Sequence, residues 1–345
     1  MKIVSIAHAL PKTTLNNEQA IELFKEQCEP LLSADDWQEL ERLITFYINK
    51  SGIKSRRIAK KDSNVMDLAY EAAQKAIDKS GKSAEEIDLI IYASVSRGWL
   101  EPNTAISIQE YLGATNATSF DVLDACAGWI RALHIAHSLL KAGTYKNILI
   151  VNLEAGMLDF IRFGLENPND IRDYGAGITL GNAASAMLLE HSQEDDFYFN
   201  IKTYPDSTDL CMIPLKNVRN FYPIENYGEP PIAEKFIAKS TPLLRKTIKA
   251  LIDVFNSDKN LVGSKFDIIF SHAVIERAFN EISHGINIPL DNHYSTLQKF
   301  GNTASATVPL AMSLALDEQK LKRGQRVGVA IGSAGITVAF ATFTF

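Results

Sequence analysis

The chain has 345 residues, 46% of them hydrophobic and 22% charged, which excludes a disordered chain and a disulfide miniprotein and allows a large buried core. Acids outnumber bases by 41 to 35, with a pI near 5.7, so no general basic field exists to grip a nucleic-acid backbone. Cys28, Cys126 and Cys211 lie far apart without CxxC spacing, which argues against a disulfide framework and against structural zinc. A reducing, cytoplasmic setting fits that usage, and the opening MKIVSIAHALPK is too short and too interrupted for a secretory signal.

In chain order, Leu68, Ala72, Ala76 and Ile77 recur at helical spacing and predict a helix over 67–80, leading into the apolar run LIIYASVS at 89–96. SFDVLDAC (119–126), a helix over 127–142 and the strand NILIVNLE (147–154) follow. The polar stretch HSQEDD at 191–196 marks a boundary between an N-terminal half, 1–193, and a C-terminal half, 194–345. Prolines at 205, 214, 223, 230 and 231 predict a long loop over 205–231. The second half then repeats the first. A helix over 233–256 leads into FDIIFSHA (266–273), KFGNTASA (299–306) echoes SFDVLDAC, and a helix over 304–319 precedes the strand RVGVAIGS (326–333). Asp88 and Asp267 open the corresponding apolar runs. Residues 327–345 carry no charge, but Gly328, Gly332 and Gly335 break them, and the end alternates Thr and Phe, as in two buried strands rather than a membrane span. Apolar strands alternating with helices in two similar units predict a duplicated α/β fold, two mixed sheets stacked as α/β/α/β/α.

Cys126 follows the apolar FDVL and precedes a helical pattern, so its sulfur sits at a helix start, where unpaired amides and the helix dipole favour thiolate. That is the setting of a nucleophile; an inert buried cysteine is the alternative. Cys28 and Cys211 lack the setting and read as bystanders. Of seven histidines, His272 ends a strand at the edge equivalent to that of Cys126, as a catalytic partner or a structural histidine would. His134 and His137 share a helix face, but no further ligand joins them, so no metal site is expected. Asn302 either caps a helix or offers its amide to a carbonyl.

The strings SGIKSRRIA (51–59), DLIIYASVS, FDVLDACAGWIRAL, GNTASATVP (301–309) and GSAGIT (332–337) together resemble the β-ketoacyl-acyl carrier protein synthase III family of the thiolase superfamily. The resemblance implies the thiolase fold, Cys126 as acyl-accepting nucleophile, His272 and Asn302 completing a triad, and an oxyanion hole from the amides of Cys126 and Ala334. It implies acyl-CoA or acyl carrier protein as substrate, no cofactor, and a homodimer. Where family members continue the histidine as His-Gln-Ala-Asn, this chain has His272-Ala273-Val274-Ile275; where acyl-CoA users clamp adenine with tryptophan and arginine, it has Phe46 and Lys50. Arg245 and Lys249 on a predicted helix, with Arg277, form a candidate basic rim for a phosphate or a carrier protein, though a charged helix face is also simply solvated.

SVSRGWLEPNTA (94–105) is similar to the OleA-like branch, whose glutamate at the place of Glu101 acts as base in a head-to-head condensation. Without a carboxyl group to expel, the second substrate must lose an α-proton, which a positioned carboxylate can take. Enzymes that close α-pyrones or alkylresorcinols share this string. Glu154 is a second acid nearby, read as structural. The expected function is an acyl-thioester condensing enzyme, with an acyltransferase to an amine or hydroxyl and a non-catalytic partner subunit as the rivals.

Overall fold

The computed structural model describes residues 1–60, 62–155, 157–221 and 232–345, with the side chains of residues 157 and 158 left aside. Two five-stranded sheets carry it, and they have the same plan. In the first, the order is Lys2–Ala9, Ala183–Glu190, Asn147–Glu154, Leu89–Tyr92, Thr118–Asp121. In the second it is Tyr198–Ser207, Gly335–Thr344, Arg326–Ser333, Ile268–His272, His293–Tyr294. In each, the two outer pairings on one side are antiparallel and the two on the other are parallel. The polar stretch 191–196 falls between the last strand of the first sheet and the first strand of the second.

Strand residues point alternately to two faces, and both faces are covered. Leu89, Ile91, Ile148 and Ile150 of the first sheet, and Phe270, Val327 and Val329 of the second, share one core with Trp129, Leu133, Val308 and Met312. The helices Gly128–Lys141 and Thr307–Asp317 therefore form the middle layer. Ile90, Tyr92 and Leu149 face the helix Met66–Ser80, while Ile269 and Ala330 face the helix Ser240–Ser257, which completes the five layers.

The two aspartates do the same work. Asp88 accepts from the amides of Lys146 and Asn147, and Asp267 from that of Arg326, each fixing the start of the neighbouring eight-residue strand. The uncharged tail is the hairpin of strands Arg326–Ser333 and Gly335–Thr344, as the Gly and Thr/Phe pattern predicts. Among the described residues no helix is long and apolar enough to cross a membrane.

Local boundaries differ in three places. The run at 89–96 is a strand only to Tyr92, because the Ser94 and Ser96 hydroxyls take the amides of Leu153 and Ala155 and turn the chain. The helix expected from 233 starts at Ser240, since Ile237–Ala238 pairs with Cys211–Met212 instead. The same pairing gives part of the expected 205–231 loop regular structure, while its residues 222–231, with the prolines at 223, 230 and 231, lie outside the described residues.

Candidate active site

Cys126 lies in a one-turn elbow, Ala125–Ala127, between the strand Thr118–Asp121 and the helix Gly128–Lys141. Ala125 has φ 43°, a left-handed conformation that reverses the chain sharply before the helix. Ala127 and Gly128 are buried, while Cys126 stays partly accessible. The elbow is held from the other half: the Ala127 amide donates to Ser333 Oγ at 3.1 Å, and Ser333 Oγ donates to the Asp124 carbonyl at 3.2 Å.

The thiol differs from expectation. Burial pushes its pKa up, and Cys211, Glu154 and Asp124 push it the same way, against the lowering by its own amide. Desolvation outweighs the helix start here, so the resting group is a neutral thiol rather than the thiolate expected from position. Cys211, in the two-residue strand paired with Ile237–Ala238, has its thiol pushed up to about 12 by burial and so stays neutral. Cys28 sits elsewhere, its sulfur donating to the Phe163 carbonyl at 2.8 Å and accepting from the Leu165 amide at 3.3 Å.

His272 ends the strand Ile268–His272, is 6% exposed, and is pulled down to about 4 by burial. Its Nδ1 is 3.1 Å from Thr307 Oγ1, and Nε2 has no protein partner among the described residues. A neutral imidazole with one nitrogen engaged has its other nitrogen free to exchange a proton. Ala273, where a polar residue follows the histidine in the family pattern, is buried and packs in the outer core of the second half.

Asn302 is 7% exposed, and its Oδ1 accepts from the Ala304 amide at 2.9 Å, which leaves Nδ2 as the end able to donate elsewhere. It therefore does cap its turn, and that bond fixes which way the amide points. Its backbone is clamped by the first half: the Asn302 amide donates to the Thr179 carbonyl at 2.8 Å and the Gly181 amide to the Asn302 carbonyl at 2.9 Å. Glycine is needed at both ends of this contact, because a Cβ on Gly181 would stand 2.0 Å from the Phe300 carbonyl and one on Gly301 would stand 2.6 Å from that of Thr179. The elbow carrying Cys126, the turn 304–306 beside Asn302 and the strand ending in Ser333 pack on one another.

Glu101 stands apart from this cluster, exposed on a loop with Trp99 and Leu100, which are 44% and 73% exposed. Ala334 is partly buried at the tip of the final hairpin, one residue beyond Ser333, and its amide has no protein acceptor among the described residues. Glu154 is fully buried: its carboxylate accepts from Val95 N at 3.2 Å, Ser96 Oγ at 3.3 Å and Ser305 Oγ at 2.6 Å, and burial raises its pKa against those donors.

The proposed rim residues are mostly engaged. Lys50 lies 4.5 Å over the half-exposed ring of Phe46, so the pair binds itself by a cation–π contact on the helix Ala34–Ser51. Arg277 pairs with Glu281 and Lys249 with Asp253, each one helical turn on. Arg245 is exposed and makes no ion pair among the described residues. His137 binds Asp195 at 2.8 Å, and no cluster of metal-ligating side chains occurs among the described residues.

Models of 3-oxoacyl-[acyl-carrier-protein] synthase III and of its C-terminal region match residues 120–206 and 257–345, together about half of the chain. β-Ketoacyl-[acyl-carrier-protein] synthase III of Clostridium perfringens is 29% identical over 343 residues, covering 97% of this chain and 95% of the relative. That of Aquifex aeolicus is 27% identical over 339 residues, with 97% and 96% covered. The Aquifex aeolicus crystal structure superposes with TM-score 0.80 at 24% identity, over 100% of this chain and 99% of that one. Xanthomonas campestris OleA with bound lauric acid and lauroyl-CoA superposes with TM-score 0.82 at 23% identity, over 99% and 98%.

Proposed function

Because the chain belongs to the 3-oxoacyl-[acyl-carrier-protein] synthase III family and is an acyl-thioester condensing enzyme of that kind, we propose that Cys126 is its acyl-accepting nucleophile and that His272 and Asn302 serve the bond-forming step. The observation that carries this reading is a chain of contacts between the halves: the elbow of Cys126 packs on the turn 304–306, the first amide of that turn orients Asn302, and His272 Nδ1 lies against Thr307, the residue after it. The thiol of Cys126 gives its proton to His272 as it attacks the thioester carbonyl. The carbonyl oxygen takes its charge to the amides of Cys126 and Ala334, and the departing thiol of CoA or of a carrier protein carries the proton away. A carbanion at the α-carbon of a second acyl thioester, formed as a carboxyl group leaves as carbon dioxide or as an α-proton is taken by a base, then attacks the Cys126-bound carbonyl and expels the Cys126 thiolate, which is reprotonated. Asn302 Nδ2 and His272, as its Nε2–H tautomer, donate to the enolate oxygen. No cofactor is required. Carrier protein or CoA phosphate approaches by the edge bearing Phe46, Lys50, Arg245, Lys249 and Arg277, where Lys249 and Arg277 exchange their helix-turn carboxylates for the ligand.

A second reading concerns how the carbanion forms. Trp99, Leu100 and Ile106, within five residues of Glu101 in the chain, are exposed apolar side chains. Such a surface suits a homodimer in which Glu101 enters the neighbouring subunit's site and takes the α-proton, so that no carboxyl group need be lost.

Intact-protein mass spectrometry with a panel of acyl-CoA and acyl-carrier donors, on wild type, C126A and E101A, tests both readings. Acylation of wild type and not of C126A is expected. Product without a malonyl thioester, lost in E101A, supports the carboxylate base; product only with a malonyl or β-ketoacyl partner removes it. No acylation by any donor overturns the nucleophile and favours the non-catalytic subunit.

A further inference from the structure

The two halves carry the same elbow twice. Ala304 has φ 43°, identical to Ala125, and the one-turn segment Ala304–Ala306 leads into Thr307–Asp317 as Ala125–Ala127 leads into Gly128–Lys141. Ser305 therefore occupies, in the second half, the position of Cys126 in the first. The strand ends correspond as well. Glu154 and Ser333 each close the eight-residue strand whose start is held by Asp88 or Asp267.

The holding contacts cross between halves. Ser333, from the second half, binds the elbow of Cys126, and Glu154, from the first, binds Ser305 in the elbow of the second at 2.6 Å. The hydroxyl of Ser305 has one proton, and of its two acceptors Glu154 at 2.6 Å is nearer than the Ala93 carbonyl at 2.9 Å, so the contact to Glu154 is the one we assign it. One residue before Ser305 in the turn, the Ala304 amide sets the direction of the Asn302 side chain through its 2.9 Å bond to Oδ1. The carboxylate is in turn anchored by Val95 N and Ser96 Oγ, and the Ser96 hydroxyl takes the amide of Ala155. Nothing in the acyl-transfer steps uses this fully buried acid.

We propose that Glu154, through Ser305, is a positioning residue for Asn302: it anchors the second elbow so that the Asn302 amide presents its donor to the condensing substrate. The inference rests on the reading in which Cys126 is acylated and Asn302 acts afterwards. It assigns the buried acid to the second chemical step and not the first. Misplacing a donor by about an ångström costs a step on the order of 10- to 100-fold.

The test separates the two steps in the dimeric or monomeric protein as purified. Rates of Cys126 acylation by an acyl-CoA are followed by quenched mass spectrometry, and condensation by product formation from pre-acylated enzyme. For S305A, acylation within about threefold of wild type and condensation slowed about tenfold or more are expected. E154A should slow condensation as much or more, and should not slow acylation, because removing the carboxylate also removes its upward push on the Cys126 thiol. E154Q, whose amide oxygen still accepts from Ser305, should recover much of the condensation rate lost in E154A. The decisive comparison is with N302A, since S305A/N302A should be no slower in condensation than N302A alone. Should E154A fail to fold, S305A and its double variant carry the test alone. Equal loss in both steps, or effects of S305A and N302A that multiply, would overturn the positioning role while leaving the nucleophile assignment intact. Absence of acylation in wild type would instead remove the reading on which the inference rests.

Discussion

The two elbows differ in what their central side chain is given to do. Ser305 is buried and engaged: its hydroxyl meets Glu154, and the neighbouring Ala93 carbonyl takes Asn152. Cys126 is partly accessible, the strand position corresponding to Ala93 holds His272, and the clamp is a neutral serine instead of a carboxylate. One backbone solution thus occurs twice, once as a support and once, in the proposed reading, as a reactive edge. The difference lies in three side chains per half, and in which of them are left with an unmet hydrogen-bonding group. A fold that repeats a sharp turn can keep one copy stable while the other holds groups that are costly to bury.

The largest effect on this comparison is expected where the halves touch. Gly181 and Gly301 let the backbone of the first half lie against that of the second, and the Asn302 backbone is bonded at both its amide and its carbonyl there. In G181A a Cβ would stand 2.0 Å from a carbonyl oxygen, which no rotamer relieves. A stability loss of about 3 kcal/mol or more is expected by urea unfolding. G143A, at φ +71° with open space around its Cβ, should cost only about 1 kcal/mol. Equal losses in the two variants would mean that the junction is not tightly packed.

A smaller effect separates the halves by pH. His272 is held neutral with its pKa near 4, below the ordinary 6.5, whereas Ala93 at the corresponding place cannot titrate. The unfolded chain binds a proton at this residue as pH falls through 6.5 while the folded chain does not until about 4, so stability is lost on acidification across that window and levels off below it. His293, pulled down to about 4 in the same way, contributes in the same direction. The difference in unfolding free energy between pH 7 and pH 4.5 should shrink in H272N by up to about 3 kcal/mol. An unchanged difference would place the imidazole in contact with water.

The architecture was legible because each central strand is a continuous apolar run and each flanking helix keeps its period, and because the repeat of the pattern implied two sheets of one plan. The placement of Cys126, His272 and Asn302 at junctions between a strand or turn and a helix was legible for the same reason. What the sequence hides is register and distance. Set residue against residue, SFDVLDAC and KFGNTASA align Cys126 with Ala306, whereas the shared left-handed alanines, Ala125 and Ala304, align it with Ser305. That single step conceals the serine bound by Glu154. The lowered thiol pKa expected from a helix start fails because desolvation depends on the whole core, which local sequence does not report.

The smallest effect concerns the clamp on the reactive elbow itself. Ser333 Oγ both accepts from the Ala127 amide and donates to the Asp124 carbonyl, so it closes the turn on which the sulfur and the Cys126 amide are aimed. In S333A the amide and the carbonyl lose one partner each within a buried site, which should cost about 1–2 kcal/mol of stability. The kinetic consequence should mirror that of S305A. Because Ser333 supports Cys126 and not Asn302, the variant should slow acylation several-fold, while condensation from pre-acylated enzyme changes less. Rates of both steps in S333A and S305A, measured side by side, therefore form a reciprocal pair. If both variants slow the same step, the clamps are not divided between nucleophile and donor, and the duplication is architectural only.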